Sequence, residues 1–519
     1  MRRIPFLTLA LLAASPAISD PAFAPRSTQI THEYTGGWEH FVGGGLASFD
    51  CNGDHLPELF AAGGSTPAAL LMNVTPSPGA EVAFEEATPD VLALTAVTGA
   101  YPLDLDNDGI TDLTILRAGE NLLLRGLGNC DFEALPASFG FTDNDRWTTA
   151  FTATWEAGNA LPTLAFGNYV DRDNPQGPFE ACDVNYLYRP DGDHWSEPTA
   201  LTPGFCPLSA LFSDWSRSGR ADLRLSNDRH YYVKGGQEQM WAMDTEPRLY
   251  GPDDGWKSFM IWGMGIASRD LTGDGLPEVY LSSMGDQKLQ LRDTDTPGPS
   301  YSEAKYDRGI TAHRPYTGDE GRPSTGWHVA FGDIQNDGRD DIFVAKGNVE
   351  QMPSAAMKDP NNLLIQQPDG NFTEKGDVAG IATTERSRGA VLEDFNLDGL
   401  LDLAINNRRA PVEIYQNVTE NSGNWLQLAV SQPAPNTAAI GAWVELETNG
   451  TTYARELTVG GGHAGGSNGF QHFGLGEAGN ARVRAIWPGG ITSDWHELAA
   501  NDTYLLNRDG NDISVSALD

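Results

Sequence analysis

Short runs of alternating apolar and polar residues, separated by turns rich in Gly, Pro, Asn and Asp, recur along most of the chain. Period-two alternation that is broken by these turn residues indicates β-strands and tight turns. The first kind of run is represented by GGLASF at 44–49, WHVAFG at 327–332 and RGAVLE at 388–393. The pattern predicts an all-β chain.

The runs follow one another in a fixed order that predicts four strands in each unit. A second strand such as EVYLSS at 278–283 comes after the first run, and a third such as NLLIQQ at 362–367 comes after that. The fourth segment is short and reads AFEEA at 83–87, DFEAL at 131–135, HWSEP at 194–198 or NFTEK at 371–375. The segment QITHEY at 29–34 resembles a fourth strand but precedes the first unit, so we expect it to complete the last unit and close a ring.

An acidic ten-residue stretch lies between the first and second strands of most units. The copies are DCNGDHLPEL at 50–59, DLDNDGITDL at 104–113, DWSRSGRADL at 214–223, DLTGDGLPEV at 270–279, DIQNDGRDDI at 333–342 and DFNLDGLLDL at 394–403. They start 54 to 63 residues apart, except for one interval of 110 residues in which WEAGNALPTLAFGNY at 155–169 aligns as a copy without the acids. Seven units between residues 30 and 420 predict a seven-bladed β-propeller, with an open solenoid of hairpins as the alternative.

Each acidic stretch places side-chain oxygens at positions 1, 3, 5 and 9 and a backbone carbonyl at position 7 of a tight turn. Gly at position 6 permits this turn in every copy except 50–59, where His55 takes its place. These are the ligands of a hard cation, and Ca²⁺ is the usual occupant. We expect about five or six structural Ca²⁺ ions in loops of this kind. The predicted ligands are Asp50, Asn52, Asp54, Leu56, Glu58, Asp104, Asp106, Asp108, Ile110, Asp112, Asp214, Ser216, Ser218, Arg220, Asp222, Asp270, Thr272, Asp274, Leu276, Glu278, Asp333, Gln335, Asp337, Arg339, Asp341, Asp394, Asn396, Asp398, Leu400 and Asp402.

The net charge of −37 agrees with loops that need cations, and it excludes nucleic-acid binding, which requires a basic face for the phosphates. The loops differ in charge. Loop 104–112 has four carboxylates and is expected to bind Ca²⁺ most tightly, whereas loop 214–222 has two carboxylates and two serines and is expected to release it first.

The N-terminal sequence MRRIPFLTLALLAASPAIS predicts a signal peptide over residues 1–19, because two arginines precede a short apolar core and a small-residue ending. The chain is therefore expected to be secreted or periplasmic, and no other segment is long and apolar enough to span a membrane. Four cysteines in an exported chain indicate two disulfides. Cys182 and Cys206 flank one repeat boundary and form a natural pair, which leaves Cys51 with Cys130; free buried thiols are the alternative.

The sequence pattern changes after residue 420, where the acidic stretches stop. NWLQLAVS at 424–431 and GAWVELETNGTTYARELTVGGG at 441–462 alternate, and Asn449-Gly450 predicts a hairpin turn. With GFQHFGLGEAG, ARVRAIWPGG and DTYLLNRDG, they predict a small β-sandwich over residues 424–510.

The acidic repeats resemble the FG-GAP/VCBS repeats of integrin α heads. The motifs NWL, GAWVEL, HFGLG and WPGG resemble the ASPIC/UnbV domain that follows such repeats in the cartilage acidic protein family and its bacterial relatives. The resemblance covers residues 29–510 and implies a propeller over 29–420. It also implies a calcium-stabilised, non-catalytic scaffold that binds a protein or a glycan. The copy at 155–169 departs from the pattern, which puts a metal there in doubt.

An enzyme that acts on a carbohydrate or small molecule in the central channel is the alternative function. The segment GGWEHFVGGG at 36–45 offers Glu39 and His40 as an acid–base pair and Trp38 as a sugar-stacking surface. Trp327 and His328 occupy a comparable strand and complete this candidate ligand pocket. The competing interpretation is that Trp38 packs the first blade while His40 hydrogen-bonds a buried carbonyl. No nucleophile elbow, HExxH motif or phosphate loop is found in the sequence.

Overall fold

The structure is a computed structural model that describes residues 19–27, 29–174, 181–228, 234–311, 313–316, 319–349 and 352–518. The predicted signal peptide, apart from its last residue, lies outside the described residues. The described residues are almost entirely β-strand and turn. One short α-helix spans Gly376–Ala379, and 3₁₀ turns span Trp38–His40, Ala137–Phe139, Pro252–Asp254, Tyr306–Arg308 and Asp319–Gly321. Within these ranges no helix is long and apolar enough to cross a membrane.

Four-stranded antiparallel units follow one another from residue 23 to residue 417. We call them the repeat sheets and number them in chain order by their first strands. Sheets two and three are joined into one larger sheet, because Arg146 and Trp147 pair with Gly119 and Ala118. Sheet one contains Leu46–Phe49, Glu58–Ala61, Ala69–Asn73 and Phe84–Glu86, and sheet two contains Val97–Leu103, Asp112–Gly119, Leu122–Gly126 and Phe132–Ala134. Sheet three contains Arg146–Thr154, Thr163–Asn168, Asn185–Tyr188 and Thr199–Leu201; sheet four contains Pro207–Ser213, Asp222–Asn227, Gln239–Ala242 and Arg248–Leu249; and sheet five contains Gly263–Arg269, Glu278–Ser283, Lys288–Arg292 and Tyr301–Glu303. Sheet six contains Gly326–Gly332, Asp341–Lys346, Asn362–Gln366 and Phe372–Glu374, and sheet seven contains Ser387–Glu393, Asp402–Asn407, Glu413–Asn417 and Phe23–Pro25.

These repeat sheets are arranged around a common centre. The first strand of each sheet contacts the first strand of the next, and the first strand of sheet seven contacts that of sheet one. Apolar side chains of neighbouring sheets share cores, as where Phe49 and Phe60 of sheet one pack with Leu113 and Ile115 of sheet two. The alternating pattern therefore buries both faces of a sheet, one against each neighbour.

The N-terminal segment pairs with the last repeat sheet, but through other residues than predicted. Phe23–Pro25 forms the fourth strand of sheet seven, antiparallel to Glu413–Asn417. The predicted segment 29–34 makes only isolated bridges, from Glu33 to Pro411 and, one residue later, from Tyr34 to Arg408. Because Tyr34 is completely buried, the segment acts as an anchor of the core and not as an edge strand.

Sheet three also departs from the predicted order. The segment 194–198 does not supply its fourth strand, because His194–Trp195 pairs with Pro190–Asp191 in a separate hairpin. The fourth strand is Thr199–Leu201. The Trp195 side chain is buried and its Nε1 donates to the Pro162 carbonyl at 2.8 Å, so the hairpin is fixed by its tryptophan.

Two further four-stranded sheets follow residue 423, and we call them the C-terminal sheets. One contains Asn424–Ser431, Gln471–Gly476, Asp502–Asp509 and Asp512–Ala517, and the other contains Trp443–Thr448, Thr451–Glu456, Asn480–Ile486 and His496–Ala499. They share one apolar core, which includes Leu426 and Phe473 of the first sheet and Val444 and Val483 of the second. Asn449 and Gly450 have φ of +50° and +80°, as the predicted hairpin turn requires.

Candidate cation sites

All six acidic stretches form the loop between the first and second strands of a repeat sheet, and the residue at position 9 begins the second strand. The thirty predicted ligands are thereby brought together in groups of five, one group in each loop. The backbone has positive φ at position 4, in Gly53, Asn107, Arg217, Gly273, Asn336 and Leu397, and at position 6, in His55, Gly109, Gly219, Gly275, Gly338 and Gly399. Gly at position 6 was predicted from the sequence, whereas the left-handed position 4 was not.

The carboxylate at position 1 organises each loop. One of its oxygens accepts the backbone N–H of position 6 at 2.7–3.0 Å in all six loops. The acid at position 5 accepts the N–H of position 7 at 2.9–3.0 Å in the five loops that have one. These bonds turn the side chains of positions 1 and 5 inward, so that they face each other across the loop.

The carboxylate at position 9 joins the loop to the sheet. In loop 394–402, Asp402 accepts the N–H of Phe395 at 2.9 Å with one oxygen and the N–H of Asn417 at 2.7 Å with the other. Asp112 makes the same pair of bonds, at 2.7 Å each, with Leu105 and Gly126. Position 9 therefore has a structural function in addition to the predicted ligand function, and each oxygen keeps a lone pair for a cation.

Two loops contain, at predicted ligand positions, buried oxygens that have no partner within the described part of the chain. They are Oδ1 of Asn396, at position 3 of loop 394–402, and Oδ1 of Asp104, at position 1 of loop 104–112. Asn396 is completely buried, so this oxygen is cut off from water as well. A buried acceptor without a partner costs about 1–3 kcal/mol. Carboxylate oxygens of Asp104, Asp106 and Asp108 also lie within 4.8 Å of one another. The residues of these two loops fit a hard cation.

Electrostatics point in the same direction. Burial, and then the neighbouring Asp398 carboxylate, raises the pKa of Asp394 above its usual range. Burial, followed by the Asp337 and Asp340 carboxylates, does the same to the pKa of Asp333. Like charges gathered in a buried loop are destabilising unless a cation is held between them.

Arginines already meet some of this charge. Arg125 contacts Asp106 and Asp108 at 2.7 Å each, and Arg339 pairs with Asp337. In loop 394–402 the structure shows no Arg or Lys paired with Asp394, Asp398 or Asp402 among the described residues. The sequence alone ranks loop 104–112 first in expected calcium affinity, because it has four carboxylates. The Arg125 guanidinium already contacts two of them, which lowers the expected affinity of this loop and favours loop 394–402.

Loop 214–222 has the same backbone with less charge. Asp214 accepts the N–H groups of Ser218 and Gly219 at 2.8 and 2.7 Å, and Arg217 and Gly219 take the two left-handed positions. Glu456 of the C-terminal sheets accepts the N–H of Asp214 at 2.6 Å. Its carboxylate was not predicted, because it lies more than two hundred residues away in sequence.

The candidate pocket residues fall into two places at the opposite end of the repeat sheets from the loops. Trp38 stacks edge-on against Trp147 at 5.4 Å, and Glu39 pairs with Arg172 at 2.7 Å. His40 is buried, and burial lowers its pKa.

Trp327 and His328 lie deeper, towards the centre of the repeat sheets. Trp327 is completely buried, and its Nε1 donates to the Gly347 carbonyl at 2.7 Å. Trp38 packs at the border of the same apolar cluster as Trp327. The tryptophans are therefore brought together as packing residues, and His328 is buried next to Trp327 in the chain.

A glycine-rich segment of the C-terminal sheets, residues 459–468, occupies the centre of the repeat sheets. It bridges to the first strands of sheets one to five through the pairs Ser467–Ser48, Gly465–Ala100, Val459–Ala153, Gly460–Leu211 and Gly462–Ile266. The backbone N–H of His463 donates to Nδ1 of His328 at 3.1 Å. The His463 ring lies 5.1 Å from that of Trp327. The run GGGHAGG was the only sequence signal of this segment, because close approach of backbones to the first strands requires residues without side chains.

Both predicted disulfides are present. Cys51 is bonded to Cys130 and Cys182 to Cys206, and the described residues contain no free cysteine. The first bond ties loop 50–58 to sheet two, and the second joins the segment before the third strand of sheet three to the segment that leads into sheet four. The alternative of free buried thiols is wrong.

Residues 432–512 match the protein family described as ASPIC and UnbV. The chain carries an ASPIC/UnbV domain. It is also 29% identical to cartilage acidic protein 1 of Mus musculus over 161 residues, which are 30% of this chain and 22% of that protein. The protein of the same name in Homo sapiens is 27% identical over 187 residues, 35% of this chain and 26% of its own length. The chain thus spans about a quarter of the length of these curated relatives.

Two solved structures align with the chain at TM-scores below 0.5. The extracellular domain of a putative hybrid two-component system from B. thetaiotaomicron has a TM-score of 0.42 and 8% identity, and the alignment covers 94% of this chain and 58% of that one. BBS1N, solved in complex with ARL6DN, has a TM-score of 0.45 and 9% identity, with 78% and 99% covered. At these values the likeness assigns no function to the chain.

Proposed function

We propose that the chain is an exported, calcium-stabilised β-propeller that acts as a binding scaffold for a protein or glycan partner. The repeat sheets are its seven blades, over the predicted range 29–420 extended by the strand Phe23–Pro25. The ASPIC/UnbV domain is a β-sandwich over 424–510. The contacts among the first strands, from sheet one round to sheet seven and back, support a closed ring of blades.

The observation that carries the calcium proposal is the buried, unpartnered Oδ1 of Asn396 beside the buried carboxylate of Asp394 and the partly buried carboxylate of Asp398. Asparagine and carboxylate oxygens are hard ligands of the kind that Ca²⁺ prefers. A bound ion supplies the positive charge that the acidic loops lack. Loop 394–402 fits Ca²⁺ best, because it offers both an amide oxygen and carboxylate oxygens, and the loops that start at 50, 104, 270 and 333 follow.

The proposal places the partner on the end of the propeller that is opposite the loops. The ASPIC/UnbV domain covers the loops, and its glycine-rich segment fills the centre. Glu39 and Trp38 lie at the opposite end and are partly exposed. Catalysis by Glu39 and His40 has no supporting observation, because Glu39 is engaged by Arg172 and His40 is buried.

Export to the periplasm or the extracellular space is part of the proposal. Two disulfides support it, since such bonds persist in oxidising compartments. The N-terminal sequence, with its paired arginines and short apolar run, agrees.

Native mass spectrometry of the purified chain tests the metal content directly. We expect about five or six Ca²⁺ ions per chain, removed by a chelator and restored by calcium. A mass that corresponds to one ion or none at saturating calcium would contradict the proposal. A scaffold should bind glycans or candidate protein partners without turnover, whereas an acid–base enzyme should show turnover that Glu39→Gln abolishes while binding persists.

A further inference from the structure

The ASPIC/UnbV domain rests directly on the acidic loops. Gln427 donates through Nε2 to Oδ2 of Asp394 at 2.6 Å. Thr437 donates through Oγ1 to Oδ2 of Asp104 at 2.5 Å. These aspartates occupy position 1 of their loops, and Gln427 is almost completely buried. The same carboxylate groups therefore face a candidate cation on one side and the domain on the other.

The two carboxylate oxygens of Asp104 differ in their hydrogen-bond partners. Its Oδ2 accepts from Thr437 and from the N–H of Gly109, whereas its Oδ1 has no partner among the described residues. One oxygen is thus committed to the domain and to the loop backbone, and the other is left for a cation. An ion at Oδ1 and the hydroxyl at Oδ2 hold the carboxylate in the same orientation, so each favours the other.

The ASPIC/UnbV domain packs tightly against the acidic loops. A Cβ atom on Gly399, at position 6 of loop 394–402, would lie 1.9 Å from Cε2 of Trp425. A Cβ on Gly474 would lie 1.8 Å from Oδ2 of Asp333. In addition, Nε2 of His472 lies 3.0 Å from the Gly399 carbonyl. A loop that relaxed by an ångström, as carboxylates repelled one another, would no longer fit against the domain.

The glycine-rich segment is held through the same domain. Residues 459–468 connect the strand Thr451–Glu456 to the strand Gln471–Gly476. Both strands contact the loops, through Glu456 to Asp214 and through His472 to Gly399. Undocking of the domain therefore withdraws the segment and exposes Trp327 and His328 at the centre.

We infer that cation binding in loops 104–112 and 394–402 is coupled to docking of the ASPIC/UnbV domain through Thr437 and Gln427, and so controls access to the centre of the propeller. The inference rests on the proposed function, since it requires that the loops bind calcium. Coupling of this kind is reciprocal: the ions strengthen docking, and docking strengthens the binding of the ions by the same factor.

Hydrogen exchange of the full chain, with calcium and with a chelator, tests the coupling without any substitution. We expect exchange of the backbone amides of 459–468 to rise about tenfold or more when calcium is removed. Exchange in the core strand Val444–Leu446 region of the domain should change much less, because the domain undocks before it unfolds. Unchanged protection of 459–468 in a chain that demonstrably loses its ions would overturn the inference and leave the proposed function standing.

Two variants give the reciprocal measurement. Gln427→Ala and Thr437→Val should each weaken calcium binding about fivefold or more at the loop that they contact. Thr451→Val, on an exposed hairpin of the same domain, is the matched control and should leave calcium affinity unchanged. Wild-type affinity in both variants would overturn the coupling. Absence of calcium binding by the wild-type chain would overturn both the coupling and the proposed function.

Discussion

Loops 394–402 and 214–222 have one backbone but different chemistry. Both turn through two residues of positive φ, Leu397 and Gly399 in one and Arg217 and Gly219 in the other. In both, the aspartate at position 1 accepts the N–H groups of positions 5 and 6. Loop 214–222 achieves this with serines at positions 3 and 5, so the turn itself does not need acids there. The extra carboxylate of the other loop adds repulsion to a turn that would form without it, which is understandable if it binds a cation.

The most severe test of this comparison removes the cations altogether. Each ion at a hundredfold excess over its dissociation constant contributes about 2.7 kcal/mol to the folded state, so a chelator should lower the melting temperature strongly. Differential scanning calorimetry with calcium and with excess chelator measures the shift. Coincident melting curves would mean that the acidic loops are stable turns without metal.

A matched pair of substitutions at position 5 separates the two loops. With calcium present, Asp398→Asn should lower the free energy of unfolding by about 2–3 kcal/mol, because one ion is lost. With a chelator it should be neutral or slightly stabilising, because a like charge near Asp394 is removed.

Ser218→Ala is the counterpart in loop 214–222 and should cost less than about 1 kcal/mol under both conditions. Denaturant unfolding of both variants, with and without calcium, provides the four values. An equal loss for Asp398→Asn with and without calcium would indicate a purely structural aspartate.

Much of the fold could be predicted because it repeats. The second strand Glu278–Ser283 was predicted with the bounds that it has. The acidic loops were placed correctly because their geometry depends on a few residues that are close in sequence. The closing strand Phe23–Pro25 was missed, since three residues have little periodicity and their partner is nearly four hundred residues away.

Apart from the left-handed position 4, the parts of the site that were missed come from outside the loops. Arg125 reaches loop 104–112 from the third strand of its sheet, and Gln427 comes from another domain. The glycine-rich segment 459–468 has neither of the two periods that reveal strands and helices. Its position depends on the fit of its backbone to the first strands, which the sequence does not encode locally.

The fit between the domain and the loops can be tested by adding one methyl group. Gly474→Ala places a Cβ 1.8 Å from Oδ2 of Asp333 and should cost about 1–3 kcal/mol of stability. Gly479→Ala, at a site with no atom within 4 Å of the new Cβ, is the control and should have little effect. Thermal unfolding of the two variants measures the difference, and equal melting temperatures would contradict close docking on loop 333–341.

The smallest expected effect concerns low pH and the centre of the repeat sheets. Burial lowers the pKa of His328 from 6.5 to about 4, and its Nδ1 accepts the N–H of His463, so the neutral ring is the native form. The pKa of His328 is lower in the folded state than in the unfolded state. The neutral ring therefore makes its full contribution to the stability of the fold above pH 6.5, and this contribution is lost as the pH falls towards 4. The His463 ring is held neutral as well, because burial and then the Arg388 guanidinium lower its pKa.

His328→Asn keeps a hydrogen-bond acceptor but cannot titrate. Between pH 6.5 and 5.5, the wild-type protein should lose about 1 kcal/mol more stability than the variant. Melting temperatures measured across this range at constant calcium give the comparison. Melting temperatures that change in parallel with pH in the wild-type protein and the variant would show that protonation of His328 does not destabilise the fold in this range.

Anomalous X-ray scattering from crystals grown in calcium tests the central claim most directly, because it locates each ion by loop. The account predicts anomalous peaks inside loops 50–58, 104–112, 270–278, 333–341 and 394–402, with the weakest peak or none in loop 214–222. In loop 394–402 the peak should lie within calcium–oxygen distance, about 2.3–2.6 Å, of Oδ1 of Asn396. Acidic loops without peaks at saturating calcium would contradict it, as would a peak in loop 214–222 alone.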